Sequence, residues 1–162
     1  MKVSYERFTT ADAVFQRARE LTPRTIIIDV EPLVAWWDTG RDQLDSGVES
    51  VVSQLGGLAG LRVLCFATNS ARRPSRVPTG EAAQVVYLAS AGKPLQVAHY
   101  QSLPAPGAVI GDQVLTDGIL ARRLGYAFLH YCPAPADMPI GPRLLQYGGR
   151  PVLPLLFPGP NT

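Results

Sequence analysis

Cysteine is scarce in this sequence, with only Cys65 and Cys132 among its 162 residues. The two lie far apart and form no CxxC motif or Cys/His spacing, which leaves no sign of a cysteine-based metal site. Cys65 lies inside an apolar run, where buried thiols are common. This cysteine usage is typical of a reducing compartment, and we expect a cytoplasmic protein.

Charge of one sign and long apolar runs are also missing. The formal net charge is only +2, and the lysines and arginines are scattered, so the sequence does not indicate nucleic-acid binding. No apolar stretch approaches the roughly 20 residues that span a bilayer, and the first residues lack the apolar region of a signal peptide. We therefore expect a soluble chain that is not an integral membrane protein.

What the sequence does have is enough apolar content for a core. Hydrophobic residues make up 46% of the chain, and its length fits one domain over residues 1–162. The informative patterns lie in residues 25–131. Residues 132–162 are rich in proline and glycine, and we expect this tail to pack on the core.

Hydrophobic periodicity predicts alternating strands and helices. Short, continuous apolar runs predict buried strands at Thr25–Asp29, Leu61–Ala67, Val85–Leu88, Ala108–Ile110 and Tyr126–Tyr131. Apolar stripes at helical spacing and proline positions predict helices at Ala11–Leu21, Asp42–Leu55, Pro94–Ser102 and Asp117–Leu124. Strands that alternate with helices favour right-handed crossovers. The predicted fold class is therefore α/β, a three-layer Rossmann-like fold with a mostly parallel sheet of about five strands.

Polar clusters follow the predicted strands or open a helix, at the edge where open α/β sheets bind ligands. They are Asp29-Val30-Glu31, Thr68-Asn69-Ser70, Lys93-Pro94, Gly111-Asp112-Gln113 and Thr116-Asp117. Phosphoryl transfer needs a carboxylate nucleophile, a hydroxyl and an ammonium for phosphoryl oxygens, and further carboxylates for a hard cation. All of these groups are present, so the clusters predict a phosphate and metal site.

Four of these segments resemble the motifs of the haloacid-dehalogenase-like superfamily. They are IIIDVE, CFATNS, AGKPL and VIGDQVLTDGILARRLGY, and the resemblance runs from about Thr25 to Tyr131. Within the superfamily the chain is most similar to the small phosphatases related to phosphatidylglycerophosphate phosphatase. The segment between the first two predicted strands is short, so the resemblance is to members without a large cap domain.

The resemblance implies a role for each matching residue in a magnesium-dependent phosphatase. Asp29 takes the place of the nucleophile, which would form an aspartyl-phosphate. Thr68 would hydrogen-bond the phosphoryl group together with Asn69, and Lys93 would neutralise charge on the nucleophile and the phosphate. Thr68, Asn69 and Lys93 would bind a small phosphorylated substrate.

The same resemblance implies a Mg²⁺ site. Asp29 and Asp112 would be ligands, and Asp117 would be a second ligand or a support for the first. Residue 31 would contribute through its backbone carbonyl, which does not depend on the side chain.

One position departs from the family pattern, because Glu31 stands where the family has a second Asp that protonates the leaving group. Pro32 follows it and favours an extended backbone at residue 31. Glutamate also donates protons, but its extra methylene moves the carboxyl by roughly 1 Å, which can cost on the order of 100-fold in rate. Two alternatives to an efficient phosphatase therefore stay open. One is a degenerate member that binds a phosphorylated ligand or a protein partner with little turnover, and the other is an enzyme that ionises a diphosphate.

The surroundings of the site are less specific. Without a cap the site would be open to a bulky substrate or covered by a neighbouring subunit, and a homodimer is plausible. Trp36 and Trp37 follow Glu31 closely; such residues usually pack, and the alternative is a wall for substrate. His99 and His130 have no partner at metal-ligand spacing, so we expect structural roles for both.

Overall fold

A computed structural model of the chain describes residues 3–134 and 139–158. Within them lies a six-stranded sheet in which every neighbouring pair is parallel. The strands are β1 (Tyr5–Phe8), β2 (Thr25–Asp29), β3 (Val63–Ala67), β4 (Gln84–Leu88), β5 (Gly107–Gly111) and β6 (Ala127–Tyr131), in the order β1-β6-β5-β2-β3-β4. The prediction of an α/β, Rossmann-like sheet is confirmed, with six strands rather than about five.

Helices cover both faces of the sheet. They are α1 (Ala11–Glu20), α2 (Arg41–Leu55), α3 (Ile119–Leu124), α4 (Ile140–Gly149) and α5 (Leu153–Leu156). On one face α1 and α2 pack against side chains such as Ile26 and Ile28 of β2. On the other face α3 and α5 pack with Ile27 of the same strand. The alternation of β2 side chains between two apolar layers explains why its sequence is apolar throughout.

Local signals in the sequence place most helix ends correctly. The side chain of Thr10 caps α1 by accepting a hydrogen bond from the backbone N–H of Ala13 at 3.4 Å. Gly125 ends α3 in the left-handed conformation, with φ of 70°, which glycine adopts without strain. A π-helical turn, Val114–Gly118, precedes α3 and occupies the start of the predicted 117–124 helix.

The helix predicted at Pro94–Ser102 is wrong. Only a 3₁₀ turn forms, at Val97–Tyr100. The backbone before it is held in a turn, because the side chain of Asn69 binds both the N–H and the carbonyl of Lys93. Prolines at 104 and 106 then prevent helical continuation.

Two regions have more regular structure than the sequence indicated. Strand β1 reads YERF, and its charged side chains hide the strand signal at an edge of the sheet, where such charges are common. Glu6 of β1 forms an ion pair with Arg17 of α1 at 2.9 Å. The described part of the tail contains α4 and α5, and Phe157 after them is buried in the core. The last residues of the tail lie outside the described ranges.

The topology fixes where a ligand can enter. From β2 the chain proceeds outward through β3 and β4, then returns to β5 on the other side of β2. The point where the strand order reverses therefore lies between β2 and β5, and a crevice opens there at the carboxyl ends of the strands. In the described part of the chain, no helix combines the length and apolar character needed to cross a membrane.

Candidate functional site

Three carboxylates meet at the crevice between β2 and β5. Asp29 is the last residue of β2, Asp112 follows β5 directly, and Asp117 lies in the π-helical turn. Each offers one carboxylate oxygen, and these oxygens all lie within 4.8 Å of one another. The convergence of residues from separate segments, predicted from their strand-end positions, is therefore present.

Asp112 is the least satisfied of the three. Its side chain is fully buried, and neither carboxylate oxygen has a hydrogen-bond partner among the described residues. Burial, followed by the nearby charge of Asp117, raises the pKa of Asp112 to about 8. An unpaired buried carboxylate is costly, and a hard cation with a preference for oxygen ligands satisfies it directly. The donor set of this cluster thus fits a divalent cation such as Mg²⁺.

Asp117, in contrast, already has protein partners for both oxygens. Its Oδ1 accepts from the Lys93 ammonium at 2.7 Å, and its Oδ2 accepts from the backbone N–H of Gln113 at 3.3 Å. Gly111 allows this placement, because a Cβ at that position would lie 2.3 Å from Asp117 Oδ2. A glycine is therefore required at position 111, because any larger residue would collide with the Asp117 carboxylate.

Lys93 lies between two of the carboxylates. Its Nζ forms ion pairs with Asp29 Oδ1 at 2.9 Å and with Asp117 Oδ1 at 2.7 Å, and its side chain is only 1% exposed. Burial alone would lower the pKa of Lys93, but Asp117 and Asp29 outweigh it and raise that pKa. The lysine is thus held as a cation. Asn69 binds its backbone with hydrogen bonds of 2.8 and 2.9 Å.

The environment of Asp29 opposes its ionisation. Burial raises its pKa well above the usual value, the charge of Asp117 adds to the rise, and Lys93 offsets part of it. Since the cluster has three acids and one lysine, its charge is incompletely balanced by protein groups. A cation beside Asp29 and Asp112 would complete the balance.

The opposite wall of the crevice is formed by hydroxyls around Glu31. Thr68 donates from Oγ1 to Glu31 Oε2 at 2.6 Å, and Ser70 donates from Oγ to Glu31 Oε1 at 3.3 Å. The backbone N–H of Ser70 also binds Thr68 Oγ1 at 2.9 Å. Glu31 is not part of the carboxylate cluster, since its side chain is engaged with these groups.

Arg72 completes this wall, although its position after the Thr68-Asn69-Ser70 turn predicts a solvated residue, with contact to a remote anion of the substrate as the alternative. Its guanidinium pairs with Glu31 Oε1 at 3.2 Å and donates to the carbonyl oxygens of Trp36 and Thr39 at 2.8 Å each. The same group donates to Thr39 Oγ1 at 2.9 Å. Arg72, on the segment after β3, thus binds the loop after β2 at Glu31, Trp36 and Thr39. The segments after β2 and after β3 are both irregular, so residue spacing in the sequence could not predict the contact between Arg72 and Glu31.

The two walls enclose a cleft of about 380 Å³. It is lined by Asp29, Glu31, Trp37, Thr68, Asn69, Ser70, Gln113 and Thr116. Trp37 lies on the cleft wall, with the ring of Trp36 packed edge-on against it at 5.7 Å. The buried hydroxyl of Thr116 has no hydrogen-bond partner among the described residues. Trp37 thus lies where a wall for substrate was considered, and Trp36 packs against it.

All seven residues selected from the sequence lie in or beside this cleft. Asn69 lines it, but its side chain binds the backbone of Lys93 instead of pointing a free amide at a ligand. The metal contact expected from the carbonyl of residue 31 stays a prediction. His130 is buried on β6 with its ring hydrogen-bonded to Tyr5 and to the Asp112 carbonyl, which agrees with a structural role.

Comparison of the chain with protein-family models, with curated proteins and with solved structures finds no significant match to any of them.

Proposed function

We propose that the protein is a magnesium-dependent phosphomonoester phosphatase of the haloacid-dehalogenase-like type, acting through an aspartyl-phosphate on Asp29. One observation carries the proposal. A carboxylate at the end of the central strand is paired with a buried lysine, next to a second carboxylate that has no hydrogen-bond partner among the described residues. This combination supplies a nucleophile, a fixed positive charge and a carboxylate suited to hold a cation.

In the first step, an oxygen of Asp29 attacks the phosphorus of the ester. A bond forms between this oxygen and phosphorus, and the bond from phosphorus to the leaving alcohol breaks. The alcohol oxygen takes the electron pair of that bond and then a proton. Water attacks the aspartyl-phosphate in the second step, which releases inorganic phosphate and restores Asp29.

Lys93 and Thr68 assist from opposite sides. The lysine is fixed by Asp117 and Asn69, so its charge is in place beside Asp29 without further ordering. The hydroxyl of Thr68 would bind a phosphoryl oxygen, for which it must exchange its present hydrogen bond to Glu31. Substrate binding therefore competes with the contacts of Glu31.

A bound Mg²⁺ would supply positive charge for the phosphoryl oxygens. Asp112 and Asp29 would hold it directly, whereas Asp117, whose oxygens already have partners, would keep Lys93 and the loop in position. Glu31 would provide the leaving-group proton, but both of its oxygens accept hydrogen bonds in the present network. Proton delivery thus requires that network to rearrange, which is consistent with a slow enzyme.

The test is hydrolysis of a panel of phosphate esters, including a generic aryl phosphate, with Mg²⁺ and with EDTA. We expect Mg²⁺-dependent release of phosphate, and a loss of about 1,000-fold or more in Asp29→Asn, since that variant lacks the nucleophile. Equal activity in the variant would overturn the aspartyl-phosphate mechanism.

A second function is favoured by the same Glu31 contacts. Because Thr68, Ser70 and Arg72 hold the Glu31 carboxylate, the alternative is a site that retains a phosphorylated ligand or a protein partner with little turnover. Binding of a phosphate ester in the presence of Mg²⁺, with no hydrolysis of any panel member, would support this function over the first. The cytoplasmic location and the homodimer stay predictions.

A further inference from the structure

A second cavity lies away from the carboxylate cluster, at the edge of the sheet where β1 pairs with β6. Its volume is about 250 Å³, and it is lined by Tyr5, Arg7, His130, Cys132, Gln146 and Leu153. Sites for drug-sized ligands occupy about 300–1,000 Å³, so this cavity suits a smaller molecule. None of the described residues that line it is acidic.

An unsatisfied donor points to a ligand in this cavity. Gln146 of α4 is only 7% exposed, and its Nε2 has no hydrogen-bond partner among the described residues. A buried amide without an acceptor costs free energy, so an acceptor atom supplied by a ligand would be stabilising. Arg7 adds a guanidinium at the same cavity.

The remaining wall fixes the kind of ligand. Leu153 and the ring of Tyr5 are apolar surface suited to a short carbon chain. One guanidinium balances the single charge of a carboxylate, whereas a phosphate dianion would leave charge uncompensated. We propose that this cavity is a binding site for a small carboxylate-bearing molecule, held by Arg7 and Gln146 with its chain against Leu153.

The thiol of Cys132 gives the site a built-in reporter. Cys132 Sγ lies 3.3 Å from His130 Nε2, and the same ring nitrogen lies 3.0 Å from the carbonyl oxygen of Asp112. The hydroxyl of Tyr5 lies 3.1 Å from His130 Nδ1, so the ring is held from both sides. A ligand in the cavity therefore lies beside a thiol of defined position.

The experiment compares two alkylating probes of similar size, iodoacetate and iodoacetamide, on the folded chain. In each, the sulfur of Cys132 forms a bond to carbon, the carbon–iodine bond breaks, iodide leaves, and the thiol proton passes to the solvent. Each rate is divided by that of the same probe with free cysteine. We expect Cys132 to prefer iodoacetate by about fivefold, as an ion pair to Arg7 at a partly exposed site would give.

Two variants and two internal controls make the result specific. Arg7→Gln and Gln146→Leu should each abolish most of the preference, while Arg19→Gln, which removes an exposed arginine of α1, should keep it. Cys65 should stay unmodified in peptide mapping, because it is 1% exposed and burial raises its pKa to about 12.

Gln146→Leu also separates ligand binding from a structural role. Since the amide nitrogen has no hydrogen-bond partner among the described residues, its removal should leave the melting temperature unchanged or higher while the probe preference falls. A wild-type chain that shows no preference for iodoacetate would overturn the proposal, and so would a preference that survives Arg7→Gln. Neither outcome depends on phosphatase activity, so the two proposals fail independently.

Discussion

The two walls of the central cleft differ in how far their polar groups are satisfied. On the carboxylate wall, Asp112 has no hydrogen-bond partner among the described residues, and one lysine serves two acids. On the hydroxyl wall, the Glu31 carboxylate has three partners, which are Thr68, Ser70 and Arg72. Arg72 also donates to the carbonyl of Trp36 in the loop after β2. The first wall is incomplete without a cation, whereas the second is complete without a ligand. A cation would thus complete the carboxylate wall, whereas a phosphoryl group bound by Thr68 would disrupt the hydroxyl wall.

Removal of Lys93 should have the largest effect on the carboxylate wall. In Lys93→Met, Asp29 and Asp117 lose their shared cation in a buried site, which costs about 3–5 kcal/mol in the free energy of unfolding. Urea denaturation in EDTA measures the loss. Added Mg²⁺ should recover part of it, because a cation would again balance the two acids.

The matched control is an exposed ion pair on the surface. Arg76 and Glu49 lie 2.7 Å apart, but their side chains are 78% and 47% exposed. Arg76→Met should leave urea denaturation unchanged, since solvent screens such a pair. If Lys93→Met behaves like this control, the buried ion pairs do not form in solution.

The response to Mg²⁺ should depend on Asp112. Binding of a cation to the folded state alone stabilises it by about 2.7 kcal/mol when free Mg²⁺ is 100 times its dissociation constant. Asp112→Asn keeps the shape of the side chain but removes the charge, so most of this stabilisation should disappear. Thermal melting across a Mg²⁺ titration measures it, with Asp12→Asn, an exposed acid of α1, as the control.

Sequence reasoning found the carboxylate wall more fully than the hydroxyl wall, for a physical reason. Asp29 and Asp112 follow buried parallel strands, and the ends of such strands meet at one edge of the sheet whatever the loops do. Arg72 lies in an irregular loop. Its contact with Glu31 depends on the course of that loop in the folded chain, which hydrophobic periodicity does not predict. Strand β1 was missed for a related reason, because its charged edge position conceals the apolar signal.

The second cavity could not be predicted at all from the sequence. It joins Arg7 on β1 to Gln146 on α4, and neither element was expected. The tail was predicted to pack on the core, but no helix was assigned to it, so no face of α4 could be predicted. Because β1 and α4 were not predicted, Arg7 and Gln146 could not be placed together in a candidate site.

Shortening Glu31 should weaken the hydroxyl wall and raise turnover. In Glu31→Asp the carboxyl withdraws by roughly 1 Å, which releases the Thr68 hydroxyl for a phosphoryl oxygen. We expect hydrolysis of an aryl phosphate to increase about 10- to 100-fold, the usual effect of a misplacement of this size. Glu81→Asp, at an exposed position, should not change the rate. No activity in either form, despite bound Mg²⁺, would favour the ligand-binding function.

The smallest expected effect tests whether Arg72 holds the hydroxyl wall together. Arg72→Lys keeps the charge but loses the planar fork that reaches Glu31, Trp36 and Thr39, so the free energy of unfolding should fall by about 1–2 kcal/mol. Arg73→Lys, at the exposed neighbouring position, is the matched control and should show no change in urea denaturation. The fluorescence of Trp36 and Trp37 should shift in the first variant alone, because Arg72 donates to the carbonyl oxygens of Trp36 and Thr39 in their loop. Equal behaviour of the two variants would mean that the hydroxyl wall is held by Thr68 and Ser70 without the arginine, and the contrast between the two walls would then rest on the hydroxyls alone.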